Sequence, residues 1–150
     1  MGKRKAISAA ARKEAKMARS EAILRHCPLS PRKVRLVADM VRRVEVSRAL
    51  SMLRYDSHGG APYVEKVLLS AVNNWEQKHP GVSPEDVVLE VKTIMVDEGR
   101  TLKRIRPRAQ GRANRILKRS CHIYVEVAER AAAEAKDAPA AAEAKEKVTE

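Results

Sequence analysis

Apolar residues recur along this chain in two periods, and the switch between them lays out a fold. Val64, Val67, Leu68, Ala71, Val72 and Trp75 follow the i, i+3, i+4, i+7 spacing of one buried helix face. They predict a helix that starts after His58-Gly59-Gly60 and is ended by His79-Pro80-Gly81. The same spacing at Val34, Val37, Ala38 and Val41 predicts another, opened by Ser30 as N-cap and Pro31 at the first helical position. Val46, Ala49, Leu50 and Leu53 predict a shorter one between them. The period then drops to two. Over residues 87–96, Val87, Leu89 and Val91 face one way; after Thr93 the apolar phase slips to Ile94 and Val96, which predicts a bulge. Residues 120–127 alternate cleanly, with Cys121, Ile123, Val125 and Val127 on one face. Residues 22–29 read as a short strand that Pro28 pushes to a sheet edge. The class is therefore α+β, a small three-stranded antiparallel sheet packed with three helices. Its core is built from Val34, Val37, Val67, Leu68, Val91 and Ile123.

Charge changes this picture in one place. Between Gly99 and Val125 stand nine Lys or Arg residues and no Asp or Glu. Leu102, Ile105, Ile116 and Leu117 interrupt the run, and Pro107…Gly111 supplies a turn signal in its middle. A disordered basic arm is the plain alternative for such a run; the alternation favours two strands and a tip. The flanking strands then become the roots of a long protruding β-hairpin, roughly 40 Å from about residue 95 to the tip. A two-stranded ribbon is marginal in water, and like charges at this density call for a polyanion. Arg32, Lys33 and Arg35 add cations at the opening of a helix, where the dipole opposes them unless a phosphate binds; an ordinary solvated face is the other reading. Asn73 and Asn74, near the end of the longest helix, fit a partner contact or simple solvation equally.

Beyond the core, residues 1–19 form a basic, helix-prone extension with seven cations against Glu14. Residues 20–128 are the nucleic-acid-binding domain, with the extended hairpin at about 95–120. Residues 129–150 are a flexible Ala/Glu/Lys-rich tail. The net charge is +12. No stretch approaches the roughly 20 apolar residues of a spanning helix, and Lys3-Arg4-Lys5 has no apolar run behind it, so neither a membrane nor a signal peptide is expected. The pairs His26-Cys27 and Cys121-His122 invite zinc. In strands, however, neighbouring side chains point to opposite faces and cannot converge on one ion. No metal, cofactor or small-molecule substrate is expected. The acidic pairs Glu85-Asp86 and Asp97-Glu98 and the four histidines show no catalytic spacing, so the chain reads as a non-enzyme.

Several segments carry a resemblance: Ser30–Asp39, Val64–Ala71, Val96–Gly99, Leu102–Ala113 and Ile116–Ile123. Together they resemble the bacterial form of the large-subunit ribosomal protein L twenty-two family. The resemblance implies a cytoplasmic structural constituent of the ribosome, partnered by large-subunit ribosomal RNA and neighbouring large-subunit ribosomal proteins, with its hairpin reaching the peptide exit tunnel. It further implies RNA contacts at Arg32, Lys33, Arg35, Arg100, Lys103, Arg104, Arg106, Arg108, Arg112, Arg115, Lys118 and Arg119. The tip, Pro107, Arg108, Ala109, Gln110, Gly111 and Arg112, would face the nascent peptide. Two departures stand out. Arg43-Val44-Glu45 replaces the glycine and lysine that usually stop the first helix, and Gln110 replaces a common basic tip residue. A free RNA- or DNA-binding protein is the alternative function.

Overall fold

The apolar stripe ending at Trp75 is the wall against which the rest of the domain is built. In the computed structural model, which describes residues 3–84 and 86–130, that stripe belongs to α4 (Ala61–Lys78), the longest helix. Before it come α1 (Lys3–Ala18), β1 (Ser20–Cys27), α2 (Pro31–Val41) and α3 (Val46–Tyr55); after it come β2 (Leu89–Glu98), β3 (Leu102–Pro107), β4 (Ala113–Lys118) and β5 (Cys121–Glu129). Val64, Val67, Leu68, Ala71 and Trp75 are all buried. Tail residues 131–150 and Glu85, both named above, lie outside the described residues.

β5 is the centre of an antiparallel sheet ordered β1-β5-β2, because its apolar face must meet the helices while both its edges find partners. β1 is an edge strand, as Pro28 predicted. The phase slip in β2 is real: its register against β5 shifts between Val91 and Thr93. α2, α3 and α4 cover one sheet face, and the core unites their stripes with Leu89, Val91, Ile123 and Val125. The other face stays open, leaving Ile23 and Met95 about half exposed (49% and 47%).

Some local chemistry differs from expectation. Ser30 is the N-cap residue of α2, but its side chain makes no capping bond; its carbonyl accepts from the Lys33 and Val34 amides instead. Asn74 donates its side-chain amide to the Glu21 carbonyl at 3.0 Å, pinning α4 to the edge strand. The helical extension α1 buries no residue.

Candidate nucleic-acid interface

β3 and β4 form a two-stranded sheet of their own, and every residue in both strands is exposed. Leu102 pairs with Lys118, Lys103 with Leu117, Arg104 with Ile116 and Ile105 with Arg115. Each pair sets one cation opposite one aliphatic side chain, so no two cations stand directly across from each other, an arrangement that would repel. The pleat sends Arg104, Arg106 and Lys118 to one face and Lys103 and Arg115 to the other. The ribbon is cationic on both sides. None of its nine basic residues forms an ion pair with any described residue.

Backbone geometry fixes the two ends of this ribbon. At the tip, a 3₁₀ turn over Ala109–Gly111 places Gln110 and Gly111 consecutively in the left-handed region (φ 61° and 70°). The Arg108 amide closes the turn by donating to the Arg112 carbonyl at 2.7 Å. At the root, the Gly99 amide donates to the Ser120 carbonyl at 2.8 Å, and Ser120 Oγ donates to the Arg100 carbonyl at 2.7 Å. A Cβ on Gly99 would sit 2.6 Å from that hydroxyl, so the clasp needs glycine.

The opening of α2 lies at the same end of the sheet as this root. Cys27, shortly before α2, pairs with Cys121, and Cys121 pairs with Glu98. Arg32 and Lys33 are exposed there, with no acid in the first helical turn. Arg35 is different. Its Nε and Nη2 both donate to the Val96 carbonyl, at 3.1 and 3.0 Å, so this guanidinium braces α2 against β2. Spacing alone grouped the three together; the fold separates one from the other two. Arg25 is a cation that spacing did not single out: it stands exposed on the open sheet face, lining a hollow of about 490 Å³ with Ile23, His26, Met95, Asp97, His122 and Tyr124. The Ile23, Arg25 alternation in β1 was the available signal.

The cysteines and histidines sort by face. Cys27 and Cys121 are buried, and burial, followed by the neighbouring Cys27, pushes the Cys121 thiol up to about 11. On the other side, the His26 and His122 rings meet edge to face at 5.0 Å, and the His26 amide donates to His122 Nδ1. His79 stacks on Trp75. His58 lies far off in the α3–α4 turn, where its hydrogen bonds hold the Asp56 carboxyl below its ordinary value. These contacts give each histidine a local structural partner, and they bring no catalytic set together.

Residues 22–128, which hold all but the outermost residues of the sheet together with the three packed helices and the ribbon, match the sequence profile of the family described as Ribosomal protein L22p/L17e. The chain belongs to that family. A relative from Flavobacterium johnsoniae, "Large ribosomal subunit protein uL22", is 54% identical over 125 residues, covering 83% of this chain and 91% of its own length. The protein of the same name from Bacteroides fragilis is 54% identical over 123 residues, covering 82% and 90%. That from Porphyromonas gingivalis is 51% identical over 127 residues, covering 85% and 94%. As a family member, the chain is a structural ribosomal protein and not an enzyme.

Proposed function

We propose that this protein stabilises large-subunit ribosomal RNA by threading its ribbon between RNA segments, with the tip at the wall of the peptide exit tunnel. The single observation that carries the reading is the two-faced charge of β3 and β4. A ribbon resting on an RNA surface needs cations on one side only. One with exposed cations on both sides suits surroundings that are anionic all round. Arg100 and Arg119 lie at the root, Arg108 and Arg112 flank the tip, and Lys103, Arg104, Arg106, Arg115 and Lys118 line the shaft; each would meet phosphate. Arg32 and Lys33 extend this surface onto the domain, and Arg35 supports it from behind. The names of the relatives support placement in the large ribosomal subunit; there the protein would sit in the cytoplasm among neighbouring ribosomal proteins. The left-handed Gln110-Gly111 turn would face the nascent peptide.

Co-sedimentation of the full chain tests the first part. A threaded ribbon keeps the protein on large subunits through a high-salt wash, whereas a free RNA- or DNA-binding protein, held by phosphate charge alone, is released. A photo-crosslinker at Gln110 tests the second. Its attachment to a stalled nascent chain is expected, and attachment to ribosomal RNA alone would remove the tunnel assignment.

A further inference from the structure

We infer that α1 is a second RNA-binding element, one that grips a separate segment of the RNA through the face formed by Lys5, Arg12 and Lys16. The inference rests on the ribosomal-RNA reading above but concerns a part of the chain outside the family match, which begins at residue 22.

Three observations carry it. First, α1 is a 16-residue helix with no buried residue, and a helix of that length without tertiary packing is marginal in water. Its charges make matters worse. Lys3, Arg4 and Lys5 occupy the first turn, where no acid is present and the dipole opposes cations. A polyanion would reverse both penalties. Second, the charges are ordered. At 3.6 residues per turn, Lys5, Arg12 and Lys16 fall within about 40° of one another and span about 17 Å of helix axis. Arg12 and Lys16 border a hollow of about 390 Å³ that they share with Glu21 and Ile23 of β1, yet their polar engagements are slight. Arg12 donates to Ser8 Oγ one turn back, at 3.1 Å, and Lys16 reaches the Glu21 carboxylate only at 4.0 Å while 75% exposed. The opposite side favours no membrane. Its only large apolar residues are Ile7 and Met17, and Glu14 falls between them in angle.

Third, the topology separates α1 from the ribbon. Ser20, where α1 hands over to β1, pairs with Val127; the ribbon leaves the sheet at Glu98 and Cys121. The two basic arms therefore depart from opposite ends of an eight-residue strand, about 25 Å apart. One domain with two arms at that spacing bridges two RNA segments, and the second contact forms at high effective concentration.

The test compares two triple variants of the full chain on large-subunit ribosomal RNA. Lys5→Ala/Arg12→Ala/Lys16→Ala removes the face; Lys3→Ala/Arg4→Ala/Lys13→Ala removes the same charge from scattered positions. Alanine preserves helix propensity in both. The face variant should bind about ten- to a hundredfold more weakly and lower the salt slope by about 2 to 3, with the scattered variant much nearer wild type. Amides 4–18 should gain hydrogen-exchange protection when RNA binds in the wild type and in the scattered variant, and not in the face variant. Equal losses in the two variants, or none, would overturn the inference, as would loss of binding to phosphatidylglycerol vesicles by the face variant with RNA affinity unchanged. Failure of the wild type to bind the RNA at all would instead strike the reading it rests on.

Discussion

The domain and its ribbon are both antiparallel β-structure in one chain, yet different forces shape them. β5 sits between two partners and buries Cys121, Ile123, Val125 and Val127 beneath helices. β3 and β4 bury nothing. Burial of apolar area holds the first, at about 25 cal/mol per Å². The second has a ladder, a left-handed tip and a clasped root, which fix its shape but supply little net stability in water. The domain is folded by its own sequence, whereas the ribbon's residues give it a shape and bury nothing to hold it.

The largest contrast should come from deleting one side chain in each region. Trp75 is 2% exposed, and Trp75→Ala should cost about 3–5 kcal/mol, a large share of a marginal domain's stability. Ile105 is 75% exposed, and Ile105→Ala should change stability by less than about 0.5 kcal/mol. Urea unfolding of the free protein measures both. A comparable loss at Ile105 would mean that the ribbon packs on something in the free molecule.

The same division decides what was legible in the sequence. The α4 stripe, the β5 alternation and the β2 phase slip are local records of burial, so periodicity reads them directly. The ribbon was legible because Pro107 and Gly111 mark a turn between alternating strands. Arg35 was not, since its partner is a carbonyl 61 residues away. Nor was the irregularity of β1, whose register shifts between Leu24 and Cys27 while His26 turns left-handed at φ 60°. Such features depend on which strand lies opposite, and no local window contains that. For the ribbon's cations, spacing gave the positions, while their division between two faces needed the register.

Alkaline pH should act on the domain and spare the ribbon. Burial first, then a hydrogen bond donated to Glu21, pushes the Tyr124 hydroxyl up to about 12, and Cys121 is raised to about 11. In the unfolded chain the two would ionise near their ordinary values of 10.0 and 9.0. Because the folded state holds these protons more tightly, their contribution is complete below pH 9 and is lost as pH rises through 11 to 12. Thermal unfolding at pH 8, 10 and 11 should show a falling Tm, less steeply in Tyr124→Phe. A flat profile would mean that neither group is as shielded as the packing requires.

The root lies on the border between the two regimes. Gly99→Ala forces Ser120 Oγ away from the Arg100 carbonyl, a loss of about 1 kcal/mol, and Ser120→Ala should relieve part of that cost in the double variant. Denaturant midpoints for the two single variants and the double measure the coupling. No cost at Gly99 would move the border inward and make the clasp part of the ribbon.

The smallest effect sharpens the comparison most, because one backbone conformation occurs in both regions. Arg43 (φ 58°) and Gln110 (φ 61°) are both left-handed non-glycine residues. Arg43 stands just past the C-cap residue Arg42 of α2, and its environment holds it there. Its amide donates to the Val91 carbonyl, and the Val91 amide donates back to Val44, each at 3.0 Å. Those bonds tie the helix exit to β2 and impose the strain, which for a side-chain-bearing residue is about 1 kcal/mol or more. The Arg43 side chain is exposed, so Arg43→Gly removes the strain and little packing. Glycine's extra freedom in the unfolded chain offsets part of the gain, leaving about 0.5–1 kcal/mol and a rise of about 2–4 °C in Tm. Gln110→Gly relieves the same strain at the tip, but there the relief should not reach the global transition, because a ribbon that is open before the domain melts contributes nothing to its Tm. A shift at Gln110 equal to that at Arg43 would show that ribbon and domain unfold as one unit, and the distinction between them would fall.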